Sequence, residues 1–455
     1  MRRWIAALVR RLAEALVRLY YPARAVEGRE RIPAGKPLVF VLNHPNGLLD
    51  PLVLRVATGR PARFLAKNTL FRNPAGRLAM DAFGSIPIYR AHESGARAGD
   101  ASRNDASFAL CRAELAAGGA LALFPEGVSH SDPQLRPLKT GAARIALSAE
   151  AEHGGKLGVT LVPVGLYYER KELFRSSVLL VVGEPIAVGP RLGDYRRDER
   201  AAVAALTETI DARLDDVVVQ AESRDLLAGI ARVARWTRDR HDRRDRDDRD
   251  DDAAGADLAA EHQRARELAD AYARLRARDP ERVEAIAGEV RAYTRALRQL
   301  GVRDPWALEL APLRPGALVG ALLKLLLAAP LAAVGALLGW LPYRLAGALA
   351  RRATREADVL GTVKLLAGAA FLAVAWGLEA TTAGLLWGAP WAAATFAAGL
   401  VTGYVALRFD ELRGEAAEAW RLVVLRAFHH RTTQRLAERR RALADEVARG
   451  LRDAA

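Results

Sequence analysis

Residues 39–51 read Val-Phe-Val-Leu-Asn-His-Pro-Asn-Gly-Leu-Leu-Asp-Pro, and the rest of the chain is organised around them. The apolar run from Pro37 to Leu42 predicts a buried strand of a parallel sheet. A Pro-Asn-Gly turn ends that strand, and Asp50-Pro51 predicts a helix with Asp50 as its N-cap. His44 is therefore expected at the carboxyl end of a strand, where open α/β sheets bind their ligands.

The turn can bring the Asp50 carboxylate back to the imidazole of His44. A histidine that holds a carboxylate with one ring nitrogen keeps the other nitrogen free to take a proton from a hydroxyl group. This arrangement suits acyl transfer to an alcohol. The alternative is that Asp50 only caps a helix and His44 fills a loop.

Length, charge and cysteine content restrict the class of protein. A chain of 455 residues predicts two or three domains. The formal net charge of +14 suits nucleic acid, an anionic membrane surface or anionic substrates such as phosphates and coenzyme A. The single cysteine, Cys111, excludes an intramolecular disulfide and a Cys-based zinc cluster, and its apolar helical surroundings predict burial.

Short apolar runs alternate with helical stretches through the first half of the chain. This alternation predicts an α/β fold, a mostly parallel sheet with flanking helices. The predicted strands are residues 37–42, 62–66, 85–89, 120–124, 159–166 and 178–182.

We expect five segments along the chain. They are a basic amphipathic helix (1–25), a catalytic α/β domain (26–223), a charged helical or linker region (224–310), a hydrophobic membrane region (311–408) and a charged helix (409–455). The first helix either packs on its own domain or lies on anionic lipid. The Arg/Asp-rich run 238–252 predicts a solvated linker or a frayed helix, and residues 257–300 predict a helical hairpin.

The membrane prediction depends on two long apolar stretches. Gly316 to Leu341 is apolar apart from Lys324, and Leu365 to Leu407 carries one charge, Glu379, with a turn at 388–390. A bilayer is crossed by about 20 apolar residues in a helix, so two or three transmembrane helices are expected. We attribute Glu379 to a misplaced helix boundary. No secretory signal peptide is visible, so the catalytic domain is expected to face the cytoplasm.

Three further stretches are predicted to lie at or near strand ends, as His44 does. Residues 84–90, Gly-Ser-Ile-Pro-Ile-Tyr-Arg, deliver an arginine to the sheet edge, and a guanidinium can bind a phosphate with two hydrogen bonds. Residues 124–129, Phe-Pro-Glu-Gly-Val-Ser, form a turn whose carboxylate can bind a polyol hydroxyl. Residues 162–165, Val-Pro-Val-Gly, lie within a strand.

Taken together, these four motifs resemble the glycerol-phosphate and lysophospholipid acyltransferase (PlsC-like) family over residues 30–190. The resemblance extends to Ala66-Lys67 and to the stretch 138–142, Leu-Lys-Thr-Gly-Ala. It implies transfer of an acyl group from acyl-CoA or acyl carrier protein to glycerol 3-phosphate or a lysophospholipid at the lipid bilayer. Neither a metal nor another cofactor is expected, because the thioester is already activated.

The resemblance also implies a role for each motif residue. His44 is expected to be the general base and Asp50 the residue that orients it. Arg90 is expected to bind the phosphate of the acceptor, and Glu126 and Gly127 to line the acceptor site. The remaining expected substrate-binding residues are Asn46, Lys67, Gly84, Ser129 and Pro163.

One departure from the family pattern concerns the first motif. Five residues separate His44 from Asp50, where four are usual, and this form resembles the branch of fungal-type glycerol-3-phosphate acyltransferases. Three other interpretations are a membrane scaffold or lipid-binding protein with a degenerate site, metal-dependent hydrolysis and nucleic-acid binding. Hydrolysis would need ligands beyond His44 and Asp50, and the alternating charge signs argue against nucleic acid.

Overall fold

The computed structural model describes residues 2–72, 74–89, 100–171, 173–237, 251–302, 315–353 and 357–454. The chain divides into two compact units. The first comprises residues 1–227, 239–266 and 356–362, and the second comprises 228–238, 267–355 and 363–455.

The described residues form strands and helices that alternate through the first unit. The strands are β1 (Arg24–Glu27), β2 (Leu38–Leu42), β3 (Arg63–Lys67), β4 (Ile86–Ile88), β5 (Ala120–Leu123), β6 (Thr160–Tyr168), β7 (Val178–Val182) and β8 (Ile186–Ala187). The helices up to residue 237 are α1 (Arg2–Tyr20), α2 (Leu49–Thr58), α3 (Pro74–Ala82), α4 (Asp100–Ala116), α5 (Gly141–Glu152), α6 (Leu192–Arg197), α7 (Glu199–Asp215) and α8 (Arg224–Thr237). The later helices are α9 (Asp251–Arg278), α10 (Pro280–Gln299), α11 (Pro315–Ala353), α12 (Ala357–Trp387), α13 (Ala389–Phe428) and α14 (His430–Ala454).

The strands form one twisted layer in the order β1-β7-β6-β2-β5-β3-β4. All of these pairs are parallel except β6 with β7, and β8 also pairs antiparallel to β6. Strand β2 is central: Leu38 is in register with Ala120 of β5 and with Thr160 of β6. The predicted α/β class with a mostly parallel sheet is confirmed.

Helices α5 and α7 cover the sheet with apolar faces. Helix α5 buries Ile145 and Leu147, and α7 buries Leu206 and Ile210. The buried carboxylate of Glu150 on α5 accepts hydrogen bonds from the backbone N–H groups that lead into β6, with its Oε2 atom 2.7 Å from the nitrogen of Val159. A buried charge is tolerated where backbone donors satisfy it, so this contact fixes the start of β6.

All six predicted strands are present, with ends that differ by at most two residues. Strand β6 continues to Tyr168, two residues beyond its predicted end. Strands β1 and β8 were not predicted from the sequence. Strand β1 begins at Arg24 and ends at Glu27, and β8 has only two residues, so neither shows an apolar run.

The N-terminal helix packs on the first unit through its carboxyl-terminal part. Val17 and Tyr20 are buried, and Glu14 forms an ion pair with Arg55 of α2 at 2.6 Å. Trp4 and Leu8, closer to its start, are exposed. Packing on the domain is therefore observed for the second half of α1, while its first half keeps an exposed apolar stripe.

The single cysteine lies in the core of the first unit. Cys111 on α4 is completely buried, as predicted. Burial raises the pKa of its thiol to about 12.

Charged helices of the second unit pack against one another. The Trp236 ring of α8 meets the Tyr293 ring of α10 edge-on, with centroids 4.9 Å apart. Between α10 and α14, Arg282 pairs with Glu446 at 3.1 Å and Arg439 pairs with Glu289 at 2.7 Å. The helical prediction for 257–300 is confirmed, whereas most of the predicted linker 238–252 lies outside the described residues.

Three later helices are long and apolar enough to span a membrane, judged by length and composition: 319–352, 363–387 and 389–425. The predicted turn is confirmed, because α12 ends at Trp387 and α13 begins at Ala389. The indole of Trp376 on α12 lies against Gly399 and Gly403 of α13. The prediction for Glu379 was wrong: this residue lies within α12, eight residues before its end, and not at a boundary.

Candidate active site

The loop after β2 brings His44 and Asp50 together. Nδ1 of His44 lies 2.8 Å from Oδ2 of Asp50. The Asp50 side chain is completely buried, and that of His44 is 15% exposed. Because Nδ1 faces the carboxylate, Nε2 is the ring nitrogen left for a substrate.

The six-residue separation is accommodated by a tight turn before α2. Gly47 has φ of 49°, a left-handed conformation that glycine adopts without strain, and Leu49 N–H donates to the Asn46 carbonyl. The prediction of Asp50 as N-cap was wrong, because Leu48 occupies that position and Asp50 is the second residue of the helix. Its carboxylate instead accepts a hydrogen bond from Asn46 N–H at 2.8 Å.

A tyrosine from a distant strand completes the surroundings of Asp50. Tyr168, the last residue of β6, donates its hydroxyl proton to Asp50 Oδ1 at 2.7 Å. The pKa of Tyr168 lies well above its usual value, mainly because burial disfavours the phenolate and secondarily because of the Asp50 charge. Tyr168 therefore remains a hydrogen-bond donor at physiological pH.

Side chains from two other segments hold the loop itself. The Asn46 amide donates to the Tyr21 hydroxyl at 2.7 Å, and that hydroxyl donates to the Lys171 carbonyl at 2.8 Å. The Lys171 ammonium donates to the Pro45 carbonyl at 2.6 Å and to the Ser131 hydroxyl at 2.5 Å. These contacts fix the loop against the segment that follows β6.

The loop after β5 lies directly beside His44, because β5 pairs with β2 in the sheet. The Phe124 ring stacks on the His44 imidazole, with centroids 3.9 Å apart and an angle of 19° between planes. The His130 backbone N–H donates to the His44 carbonyl at 3.1 Å. The first and third motifs therefore form one site.

Glu126 is a buried carboxylate with one oxygen satisfied. Its Oε2 accepts hydrogen bonds from the His130 ring nitrogen Nε2 and from the Arg136 N–H, the latter at 2.8 Å. The Asp132 N–H donates to the other His130 nitrogen, so the proton of the neutral ring is on Nε2, facing Glu126. Among the residues that the structure describes, Glu126 Oε1 has no hydrogen-bond partner, which leaves a buried acceptor available to a substrate donor.

Gly127 allows Lys139 to lie over the same turn. Gly127 has φ of 76°, and a Cβ atom at this position would lie 2.5 Å from Lys139 Nζ. The Lys139 backbone N–H also donates to the Pro125 carbonyl at 2.8 Å. An exposed cationic group therefore lies over Gly127, in the turn that follows Glu126.

The other predicted site residues show no direct contact with His44 or Glu126 among the described contacts. Lys67 is exposed at the end of β3, and Gly84, just before β4, accepts a hydrogen bond from Arg63 through its carbonyl at 2.5 Å. Pro163 is buried within β6, in register with Val41. Ser129 follows Gly127 in the loop after β5. Arg90 lies outside the described residues.

Sequence reasoning assigned no role to Tyr21, His130, Tyr168 or Lys171. Of these residues, only Tyr168 could have been inferred from the sequence, because it is the last residue of a strand that pairs with β2. Within the described part of the chain, no group of three His, Cys, Asp or Glu side chains is arranged to hold a metal ion.

Residues 23–167 match the family model described as Acyltransferase. The chain contains an acyltransferase domain. The resemblance inferred from the four motifs is thus confirmed, and the domain includes His44, Asp50, Glu126 and Gly127.

The acyltransferase domain is also similar to curated relatives over part of their length. Glycerol-3-phosphate O-acyltransferase 2 of Saccharomyces cerevisiae is 39% identical over 110 residues, which are 24% of this chain and 15% of the yeast protein. A 1-acyl-sn-glycerol-3-phosphate acyltransferase of Chlamydomonas reinhardtii is 31% identical over 140 residues, 30% of this chain and 37% of the algal protein. This chain thus covers well under half the length of these relatives.

Among solved structures, the 1-acyl-sn-glycerophosphate acyltransferase PlsC of Thermotoga maritima is 18% identical to this chain. The alignment covers 47% of this chain and 82% of the bacterial protein, with a TM-score of 0.32.

Proposed function

We propose that this protein transfers a fatty acyl group from acyl-CoA or acyl carrier protein to a hydroxyl group of glycerol 3-phosphate or 1-acylglycerol 3-phosphate. The observation that carries the proposal is the contact between His44 Nδ1 and the buried Asp50 carboxylate beside the acyltransferase motifs. The acceptors are those in the names of the yeast and algal relatives. The ester product would enter phospholipid synthesis.

In this mechanism, His44 is the general base. Its Nε2 takes the proton of the acceptor hydroxyl as the oxygen attacks the thioester carbonyl carbon. The Asp50 carboxylate stabilises the imidazolium that forms. When the tetrahedral intermediate collapses, the carbon–sulfur bond breaks and the thiolate takes the proton back from His44, which regenerates the base.

The acceptor would be bound by groups around Glu126. Its Oε1, to which no described residue donates, can accept a hydrogen bond from a second hydroxyl of the acceptor. We assign the acceptor phosphate to Arg90, and the positive net charge of the chain favours both phosphate-bearing substrates. Asn46, Gly127, Ser129, Lys67, Gly84 and Pro163 are proposed to shape the surrounding pocket.

We also propose that the apolar helices anchor the protein as a multi-pass membrane protein with the acyltransferase domain facing the cytoplasm. The three apolar helices supply the length and composition for this. A membrane anchor would keep the site near the lipid acceptor and product.

The test is an acyl-transfer assay on membranes containing the full chain, with radiolabelled glycerol 3-phosphate or lysophosphatidic acid and a long-chain acyl-CoA. Product from glycerol 3-phosphate identifies a first-step enzyme, and product only from lysophosphatidic acid identifies a second-step enzyme. His44→Ala should reduce transfer by at least about 1000-fold, because the base is lost. His153→Ala, at an exposed site in the turn after α5 and outside the loops that carry His44 and Glu126, is the matched control.

If neither acceptor yields product with acyl-CoA or with acyl carrier protein, this acceptor assignment is wrong. Near wild-type turnover by His44→Ala would instead contradict the role of His44 alone.

A further inference from the structure

The Asp50 carboxylate is held from two sides. Oδ2 accepts from His44 Nδ1 and from Asn46 N–H, each at 2.8 Å. Oδ1 accepts from the Tyr168 hydroxyl at 2.7 Å, the one hydrogen bond that the described residues provide to this oxygen. Since the Asp50 side chain is fully buried, solvent water does not replace this hydrogen bond.

Resting on the acyl transfer proposed above, we propose that Tyr168 is a positioning residue for the His44–Asp50 pair. Its hydroxyl occupies Oδ1 and so leaves Oδ2 aligned with His44 Nδ1. The carboxyl group could otherwise rotate and offer either oxygen to the imidazole. Tyr168 acts through Asp50 and is not assigned a contact with substrate.

The surroundings of Tyr168 suit a fixed donor. Its ring lies against that of Tyr21, with centroids 5.2 Å apart and planes at 54°. Tyr21 is completely buried and is itself hydrogen-bonded to Asn46 and Lys171. Because these partners restrain the ring, the phenol reaches Asp50 without losing further side-chain freedom.

Donation to Oδ1 also determines how strongly Asp50 attracts the proton between itself and His44. A carboxylate that accepts three hydrogen bonds is a weaker base than one that accepts two. The proton therefore remains on Nδ1, and Nε2 remains the acceptor that catalysis requires. Loss of the Tyr168 hydroxyl would both loosen the alignment and strengthen the hold of Asp50 on the imidazolium.

The experiment is a double-variant cycle on the full-length protein in membranes: wild type, Tyr168→Phe, Asp50→Asn and the combination. Tyr168→Phe should lower kcat by about 10-fold to 100-fold, the effect of one hydrogen bond to a charged group. In the Asp50→Asn background it should cause no further loss, because its target is gone. A residue that only supports the fold would lower activity by the same factor in both backgrounds.

Tyr195→Phe is the matched control. The Tyr195 hydroxyl also lies near a carboxylate, that of Glu199; burial and this carboxylate raise its pKa, and it is away from the loops of the site. This variant should keep wild-type kcat. The melting temperature of each variant shows whether the fold is retained.

A second measurement applies if Asp50→Asn falls below detection. The acidic limb of the pH–rate profile should move to higher pH in Tyr168→Phe and stay in place in Tyr195→Phe. The charged and titratable groups near this pair are Asp50, Tyr168, Tyr21 and Lys171, with Glu126 and His130 on the adjoining loop. Only Tyr168 changes.

The positioning role is wrong if the wild-type protein is active and Tyr168→Phe keeps the wild-type kcat. It is also wrong if Tyr168→Phe lowers kcat by the same factor in both backgrounds. In either case the proposed acyl transfer is unaffected. A wild-type protein that transfers no acyl group to any acceptor would instead remove the function on which the proposal rests.

Discussion

At the scale of single residues, His130 determines how Glu126 is presented. Its Nδ1 is occupied by the Asp132 N–H, so its Nε2–H is directed to Glu126. The Arg136 N–H is the other donor to the same carboxylate oxygen. Among the described residues, these contacts leave the opposite oxygen, Oε1, without a hydrogen-bond partner.

We therefore expect His130→Ala to weaken acceptor binding more than chemistry. With one donor gone, the Glu126 carboxylate can turn, and the Michaelis constant for the acceptor should rise by about 10-fold with a smaller change in kcat. Steady-state kinetics with each substrate varied in turn measures both constants.

His153→Ala again serves as the comparison, because His153 is exposed and distant from Glu126 in the sequence. A raised constant for the acyl donor, with that for the acceptor unchanged, would move Glu126 to the donor side of the site.

The sequence could predict the contact between His44 and Asp50, but not the residues that support it. His44 and Asp50 lie within one short motif, and local turn chemistry suffices to bring them together. Tyr168 lies 118 positions beyond Asp50, and only the pairing of β6 with β2 places it there. Spacing within a motif cannot report such a contact.

At the scale of elements, the start of α9 packs on the acyltransferase domain. Leu258 belongs to the buried core of the first unit, and the His262 ring meets the Tyr167 ring edge-on at 5.5 Å. Burial lowers the pKa of His262 to about 4 from 6.5. The folded state thus holds His262 neutral at pH values where an unfolded chain would protonate it.

This difference predicts a loss of stability in mild acid. Above pH 6.5 the ring is neutral in both states and contributes nothing, and as the pH falls from 6.5 towards about 4 only the unfolded state gains a proton. At pH 5 the cost is about 2 kcal/mol at 1.36 kcal/mol per pH unit. His262→Gln should lose less melting temperature between pH 7.5 and 5 than the wild type does.

The same scan on His153→Gln should follow the wild type, because that residue is exposed. Parallel curves for wild type and His262→Gln would show that His262 does not carry the pH dependence.

Sequence patterns predict some strands and helices of this fold but not others. The apolar strands β2, β5, β6 and β7 were all predicted, since each is a run of buried aliphatic residues. Strand β1 was missed because its pattern is half polar. Among the described strands it pairs with β7 alone, and that pairing makes it a strand. Glu379 was misassigned because composition alone does not show that a helix continues through a charge.

At the scale of the whole molecule, the helices on either side of the apolar region share one bundle. Arg282 and Glu289 of α10 form ion pairs with Glu446 and Arg439 of α14. The Arg421 guanidinium also reaches the Gly301 carbonyl at 2.8 Å. Helices paired in this way lie on the same side of a membrane.

We expect an even number of complete crossings between α10 and α14, and hence that two of the three apolar helices cross. Single cysteines placed at Glu284 and Glu438, both exposed, should react with a membrane-impermeant maleimide from the same side of sealed vesicles. Labelling from opposite sides would require an odd number of crossings and would separate the observed ion pairs.

The protein without an added cysteine measures the background labelling. Its one cysteine, Cys111, is buried, and with a thiol pKa of about 12 it supplies almost no reactive thiolate. Detergent-permeabilised vesicles show the labelling expected when both sides are open.

The position of β2 at the centre of the sheet has a consequence for biosynthesis. Both of its neighbours, β5 and β6, are translated after it, and the edge strand β1 has no partner until β7 is synthesised. Contacts over such long sequence separations form slowly. A nascent chain that carries the histidine motif therefore remains without its sheet partners until most of the domain has left the ribosome. The central strand of the site is therefore synthesised well before the strands that pair with it, and an unpaired apolar strand favours aggregation during that interval.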